Sequence, residues 1–343
     1  MLRRTVLTTA LMTLATIATH ASAAEWEDRL QKLYPAAKAE GVVIFNTERI
    51  EEVGGKEGLA QFKKRFPGID VQFSGIAGSE LPSRISAEAK ANKVSIDIFR
   101  ADPDRAVLLH DAGLLMKLNL PELTDQKDAV TYLDDTYVKL SDHISNFVYN
   151  TDLVKAADVP KSYEDLLDPK WKGKLALDAR GGQIAHLLSQ KIWDETKFWD
   201  FVNKLKAQNP IWTTRNTEAM SKVTAGEASI GTGSYVAVQE LKEKGAPIEF
   251  LFLSPSLAQV RGASILKGAP HPNAAKLFVG WLLSPEGLAA LDKNAVGTVE
   301  PGTELYKEVE NRKAKLATEV TMDQILARDK VGQKITSTWG VLK

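Results

Sequence analysis

Gly41-Val42-Val43-Ile44-Phe45-Asn46 is the stretch that decides the fold. A glycine stops what precedes it, four apolar residues rich in β-branching follow, and a polar residue closes the run. A strand buried on both faces of a parallel sheet has this pattern. Upstream, Trp26, Leu30, Leu33 and Ala37 fall at helical spacing, which predicts an amphipathic helix over 26–39. Downstream, Gly54-Gly55 break the chain before a helix ending near Phe66. Pro67-Gly68 then turns it into a second strand, Ile69-Asp70-Val71-Gln72-Phe73. A loop at 75–78, a helix over 80–92 and a third strand over 95–100 complete a β-α-β-α-β order, which implies a parallel sheet covered by helices.

The same alternation returns further along. Strands are expected at 144–150, 174–178, 228–231 and 248–253, and helices at 182–190, 195–207, 217–225 and 236–244. Ser162 is placed to cap a short helix through Leu167. Residues 260–266 read as a strand returning to the first lobe, and 272–283 as a helix with Pro272 in its first turn. The charged helical segment after Pro301 reads as a solvated face. The expected organisation is therefore a first lobe of 24–140 with 254–343, and a second lobe of 141–253.

Arg3 and Arg4, an uncharged run from Thr5 to Thr19 and the small residues Ala21-Ser22-Ala23 have the order of a secretory signal peptide over 1–23. The run is shorter than the roughly 20 residues a lasting membrane span needs. There is no cysteine, so neither a disulfide nor a lipidated cysteine is available. Loss of 1–23 removes Arg3 and Arg4 and no acid, so 44 basic residues become 42 against 44 acidic ones, a net charge of −2. A chain so near neutrality lacks the basic footprint of a nucleic-acid binder. About 320 residues remain, room for two domains on the usual size prior. The expected product is a periplasmic, monomeric protein.

Enzyme signatures are missing: the sequence has no G-x-S-x-G, no H-E-x-x-H and no Walker A loop, so a periplasmic hydrolase is the weaker reading. His110, His143, His186 and His271 show no metal-ligand spacing and are expected at the surface or in caps. Asp102-Pro103-Asp104 reads as a turn with Asp104 in a helix first turn. Three loops are better candidates for chemistry. They are Thr47 to Arg49 after the first strand, the Gly75–Ser79 loop with Gly78 and Ser79, and Arg180-Gly181-Gly182 between a strand and a helix. Ligands of open α/β sheets lie beyond the carboxyl ends of strands, and helix N-termini favour anions. Arg49 or Arg180 can clamp a carboxylate or phosphate through two parallel hydrogen bonds, with Arg215 and Arg261 as weaker candidates.

Several stretches together resemble the ferric-binding type of periplasmic solute-binding protein, family 1 of the extracellular solute-binding proteins. They are 41–46, Phe66-Pro67-Gly68-Ile69-Asp70-Val71, Ser95-Ile96-Asp97-Ile98, Phe147-Val148-Tyr149-Asn150-Thr151, Leu166 through Lys174, 244–249, and His271–Ala275 with Trp281–Gly287. The resemblance implies a type II two-lobed α/β binding protein, each lobe a mostly parallel sheet flanked by helices, closing about a hinge on a small ligand. It also implies the permease and ATPase of an ABC importer as partners, with no cofactor and no catalysis. Relatives of that type take ferric iron, thiamine, phosphonates or sugar phosphates. Iron-binding members carry an adjacent tyrosine pair. Here the matching region reads Gly233-Ser234-Tyr235-Val236, with Tyr235 alone, and Arg49 stands where many have histidine. A cation beside ferric iron costs Coulomb energy. The expectation is a small organic anion (phosphonate, sugar phosphate or carboxylate), with ferric iron and a synergistic anion, or a thiamine-type ligand, as the alternatives. The expected ligand-binding residues are Thr47, Arg49, Gly78, Ser79, Arg180, Gly181, Gly182 and Tyr235, with Tyr235 the metal ligand if iron is bound.

Overall fold

The structure is a computed structural model that describes residues 27–47, 49–76, 80–101, 103–123, 131–293, 304–319 and 321–341. The expected signal peptide at 1–23 lies outside the described residues.

In chain order, α1 (residues 27–40) leads into β1 (Val42–Asn46), α2 (Gly55–Arg65), β2 (Asp70–Ser74), α3 (Leu81–Lys90), β3 (Ile98–Ala101), α4 (Pro103–Asp111), the single turn α5 (Leu120–Leu123) and β4 (Thr131–Tyr132). Next come β5 (Tyr137–Asn150), β6 (Leu175–Asp178), α6 (Gly182–Ser189), α7 (Glu195–Ala207), β7 (Ile211–Thr213), α8 (Asn216–Thr224), β8 (Ile230–Ser234), α9 (Tyr235–Glu243) and β9 (Ile248–Leu251). The remainder is β10 (Ser256–Ile265), α10 (Pro272–Leu282), α11 (Pro285–Lys293), α12 (Glu304–Asn311), β11 (Leu316–Thr318) and α13 (Met322–Trp339). Pro272 sits in the first turn of α10 as expected.

The chain divides into two compact units. One comprises Met1–Ala101, Arg105–Leu140 and Gly262–Asn294; the other comprises Asp102–Asp104, Ser141–Arg261 and Ala295–Lys343. Two long strands, β5 and β10, carry the chain from one unit to the other.

In the first unit β1 lies parallel between β2 and β3, and the end of β10 runs antiparallel to β3. The run 42–46 is an inner strand, with Val43 and Phe45 fully buried. Helices α2 and α10 cover it. Phe62 meets the Phe278 ring edge-on at 4.9 Å, and Phe278 stacks on Trp281 at 5.7 Å. His271 is a cap here. Its backbone N–H donates to Asp97 Oδ1 at 2.6 Å and its Nδ1 lies 3.0 Å from Asp97 Oδ2. Asp97 is fully buried and also accepts the Ile44 N–H, so one carboxylate ties β1 to the start of α10.

In the second unit β6 lies parallel to β7 and β8, and β5 runs antiparallel to both β8 and β9. The expected apolar face of α7 is buried through Phe198, Phe201, Val202 and Leu205. His186 is a correction. It is fully buried rather than at the surface, and its Nε2 donates to the Pro255 carbonyl at 2.9 Å. The carboxyl-terminal segment also differs from the expected 254–343 extension of the first lobe, because residues 295–343 group with the second unit. The reason lies in α13: Ile335 and Trp339 are buried in the second unit's core, Trp339 packs on Trp212 at 4.7 Å, and its Nε1–H donates to the Val202 carbonyl.

Candidate functional site

Because β6, β7 and β8 are parallel neighbours, their carboxyl ends share one edge of the second unit's sheet. A helix starts within a few residues of each: α6 after β6, α8 after β7 and α9 after β8. The first N–H groups of a helix have no intrahelical partner and carry the positive end of its dipole. Three such ends therefore share this edge, with Arg180 in the first connection and Arg215 as the N-cap of α8.

The Arg180 loop is built tightly. Asp178, the last residue of β6, is 1% exposed and donates its backbone N–H to Thr232 Oγ1 on β8. Its Oδ1 accepts both the backbone N–H and the Nε–H of Arg180 at 3.0 Å, and its Oδ2 accepts from Nη2 at 2.5 Å. This hydrogen bonding raises the Arg180 pKa further above its ordinary value, so the guanidinium stays charged. Gly181 follows in the left-handed region at φ 67° as the N-cap of α6. A Cβ there would lie 2.5 Å from Ile335 Cγ2, so both conformation and space require glycine. Thr336 Oγ1 on α13 lies 3.1 Å from both the Ala179 carbonyl and the Gly332 carbonyl of its own helix, which share its proton. Space is open above Gly182, where an added Cβ would meet nothing within 4 Å.

Tyr235 opens α9, directly after Ser234. Its ring packs edge-on against Phe250 at 5.8 Å and tilted against Phe252 at 5.8 Å, and Ser234 beside it is buried at 7% exposure. Among the described residues no three of His, Cys, Asp and Glu are grouped to hold a metal ion.

In the first unit the carboxyl end of β1 is held by Asn46, whose Oδ1 accepts the Ile76 N–H at 2.9 Å. The Thr47 hydroxyl donates to Glu52 Oε2 at 2.6 Å and accepts the Arg49 N–H. Glu52 Oε1 in turn pairs with the buried Arg100 at 3.0 Å. Arg49 has a half-exposed side chain, with its Nε 3.9 Å from Glu51 Oε2. Gly78 and Ser79 lie outside the described residues.

The structure thus brings Arg180, Gly181, Gly182 and Tyr235 to one edge of the second unit, and Thr47 and Arg49 to one edge of the first. Arg261 is elsewhere, on β10, where it lines a cavity of about 100 Å³ with Glu319 and Arg328. Sequence reading missed Asp178, Glu52 and Arg100. A polar residue closing a buried apolar run, such as Asp178 after Leu175-Ala176-Leu177, is the signal that finds the first.

Two α/β units, each a mostly parallel sheet flanked by helices, define the fold of the two-lobed periplasmic binding proteins. The chain belongs to the bacterial extracellular solute-binding protein family, whose profile matches residues 58–318. Among curated relatives, the Fe(3+)-binding periplasmic protein of Serratia marcescens is 24% identical over 273 residues, 76% of this chain and 78% of that protein. A putative 2-aminoethylphosphonate-binding periplasmic protein of Salmonella typhimurium is 23% identical over 261 residues, 70% of this chain and 74% of that protein. An uncharacterized protein of Haemophilus influenzae is 33% identical over a shorter span of 135 residues, 38% of this chain and 39% of that protein. Among solved structures, iron-bound HitA from Pseudomonas aeruginosa superposes with a TM-score of 0.66 at 23% identity, covering 88% of this chain and 99% of that one. The resemblance seen in the sequence is the family found here.

Proposed function

We propose that the protein is the periplasmic substrate-binding component of an ABC importer and that it captures a small organic anion such as a phosphonate, a sugar phosphate or a carboxylate. The observation that carries this reading is the shared carboxyl edge of β6, β7 and β8, where three helix N-termini open beside Arg180 and Arg215. Positive dipole ends at one edge suit an anion, and Arg180, whose charge Asp178 balances, adds directed hydrogen-bond donors. In the first unit, Arg49 follows the carboxyl end of β1. The 2-aminoethylphosphonate-binding relative supports the anionic class. The importer's permease and ATPase are the partners that go with this role.

Ferric iron is the second reading, favoured by the Serratia relative and by Tyr235 at the α9 N-terminus. Tyr235 packs against Phe250 and Phe252, and no second tyrosine adjoins it in the sequence as the iron-binding pattern has. A thermal-shift screen of the metal-free protein against phosphonates, sugar phosphates, di- and tricarboxylates, thiamine and ferric citrate separates the two. A ligand that binds only the folded state raises its melting point. A shift with an organic anion and none with iron supports the proposal; a shift with iron alone overturns it. Arg49→Ala is expected to weaken the anion's binding and leave the unliganded melting point in place.

A further inference from the structure

Arg180 is an unusual arginine for an anion site, because a carboxylate already holds it. Its side chain is 59% exposed while that of its partner Asp178 is 1% exposed. Asp178 takes the inner edge of the guanidinium, Nε and Nη2, and also the backbone N–H that starts the loop. The Nη1 edge makes no hydrogen bond among the described residues. Asp178 is itself tied in place: its backbone lies in β6 with its N–H donated to Thr232 Oγ1, and its two oxygens accept from Arg180. A long side chain that would otherwise sample many rotamers is thereby restrained, with its Nη1 edge left for a ligand.

We propose that Asp178 is the positioning residue for anion capture, fixing the Arg180 guanidinium so that the ligand is met by a preorganised outer edge. The inference rests on the reading of Arg180 as a ligand contact. A preorganised donor loses less entropy on binding, which is how a residue out of the ligand's reach raises affinity. It also follows that Asp178 acts only through Arg180. The pair carries no net charge, so the Arg180 contribution is directional hydrogen bonding more than long-range attraction.

The test is a double-mutant cycle read by calorimetry, with 2-aminoethylphosphonate, succinate and inorganic phosphate as probes, on the full mature chain. Arg180→Ala and D178N are each expected to weaken the best probe by about tenfold or more, and the double variant to bind no worse than Arg180→Ala alone. A purely structural role for Asp178 would instead weaken binding equally in the presence and absence of Arg180, which overturns the inference. Binding as tight in D178N as in wild type also overturns it, while leaving the ligand reading intact. Unchanged binding in Arg180→Ala, or no binding of any probe by wild type, overturns the ligand reading and the inference with it. Should D178N fail to fold, the wild-type Arg180 Nε–H resonance decides. Slow solvent exchange with and without probe supports a clamped guanidinium, and exchange at the rate of a free arginine overturns it.

Discussion

Arg180-Gly181-Gly182 was legible in the sequence as a strand-to-helix connection, and the structure places it there. What the sequence did not disclose was the role of its neighbours. Thr47 looks like a ligand hydroxyl, yet its proton goes to Glu52, five residues on. Asp178 looks like the end of a strand, yet it holds the loop's arginine. Both outcomes depend on rotamers and on chain segments brought together by folding, which residue types in order do not encode. At this scale Gly181→Ala is predicted to destabilise the protein by roughly 1–3 kcal/mol from its left-handed conformation alone, read as a lower denaturation midpoint. Contact with Ile335 adds to this, so Ile335→Ala in the same chain relieves part of the loss and leaves the conformational part. Arg180→Ala removes charge-assisted hydrogen bonds worth about 1.5–3 kcal/mol, a predicted loss of roughly tenfold to a hundredfold in affinity for the anion.

Among the elements, the strands and helices of the two β/α runs follow the hydrophobic periodicity closely, because each is buried on a regular face. α7 runs over Glu195–Ala207 as expected. β7 (Ile211–Thr213) has no counterpart among the expected strands, and β8 is a second exception. The sequence suggested 228–231, but the strand continues through Gly233 to Ser234. Its glycines weaken the strand signal, and packing explains them: a Cβ at Gly233 would lie 2.5 Å from Val148 Cγ1 and 3.0 Å from Met220. The charge of the segment after Pro301 reads as a solvated face, yet α13 is partly buried. Ile325, Ile335 and Trp339 lie buried along it, a stripe that the surrounding charge obscures. Trp339→Ala is therefore predicted to cost about 3–5 kcal/mol, the usual range for emptying a large aromatic site, measured by chemical denaturation. Thr336→Val removes the hydroxyl shared by the Ala179 and Gly332 carbonyls and is predicted to cost about 1 kcal/mol, with a further loss of anion affinity as the Arg180 loop loosens.

For the whole molecule, two buried groups give stability opposite dependences on pH. Burial pulls His186 down to about 4, so the folded state resists a proton that the unfolded chain takes up near 6.5. Its contribution is present above 6.5 and is lost as pH falls toward 4, by roughly 3 kcal/mol. Burial pushes Glu319 up to about 7, despite Arg328 at 2.8 Å; nearby Asp329 reinforces the rise and Arg261 opposes it. Its contribution is present below 4.5 and is lost as pH rises through 7. Denaturation midpoints across pH 4 to 8 are predicted to rise in E319Q relative to wild type at the upper end; an unchanged profile would contradict the buried carboxyl. The two-unit architecture was visible in the β/α alternation, whereas the placement of 295–343 was not, since a terminal helix can dock wherever its stripe finds a groove. The central claim concerns what the protein carries. Native mass spectrometry of the protein, purified from cells without added ligand, tests it most directly. The predicted result is an added mass of a small organic anion, displaced on unfolding and absent from Arg180→Ala. An added mass of iron, with the visible absorption of a tyrosinate complex, would contradict it.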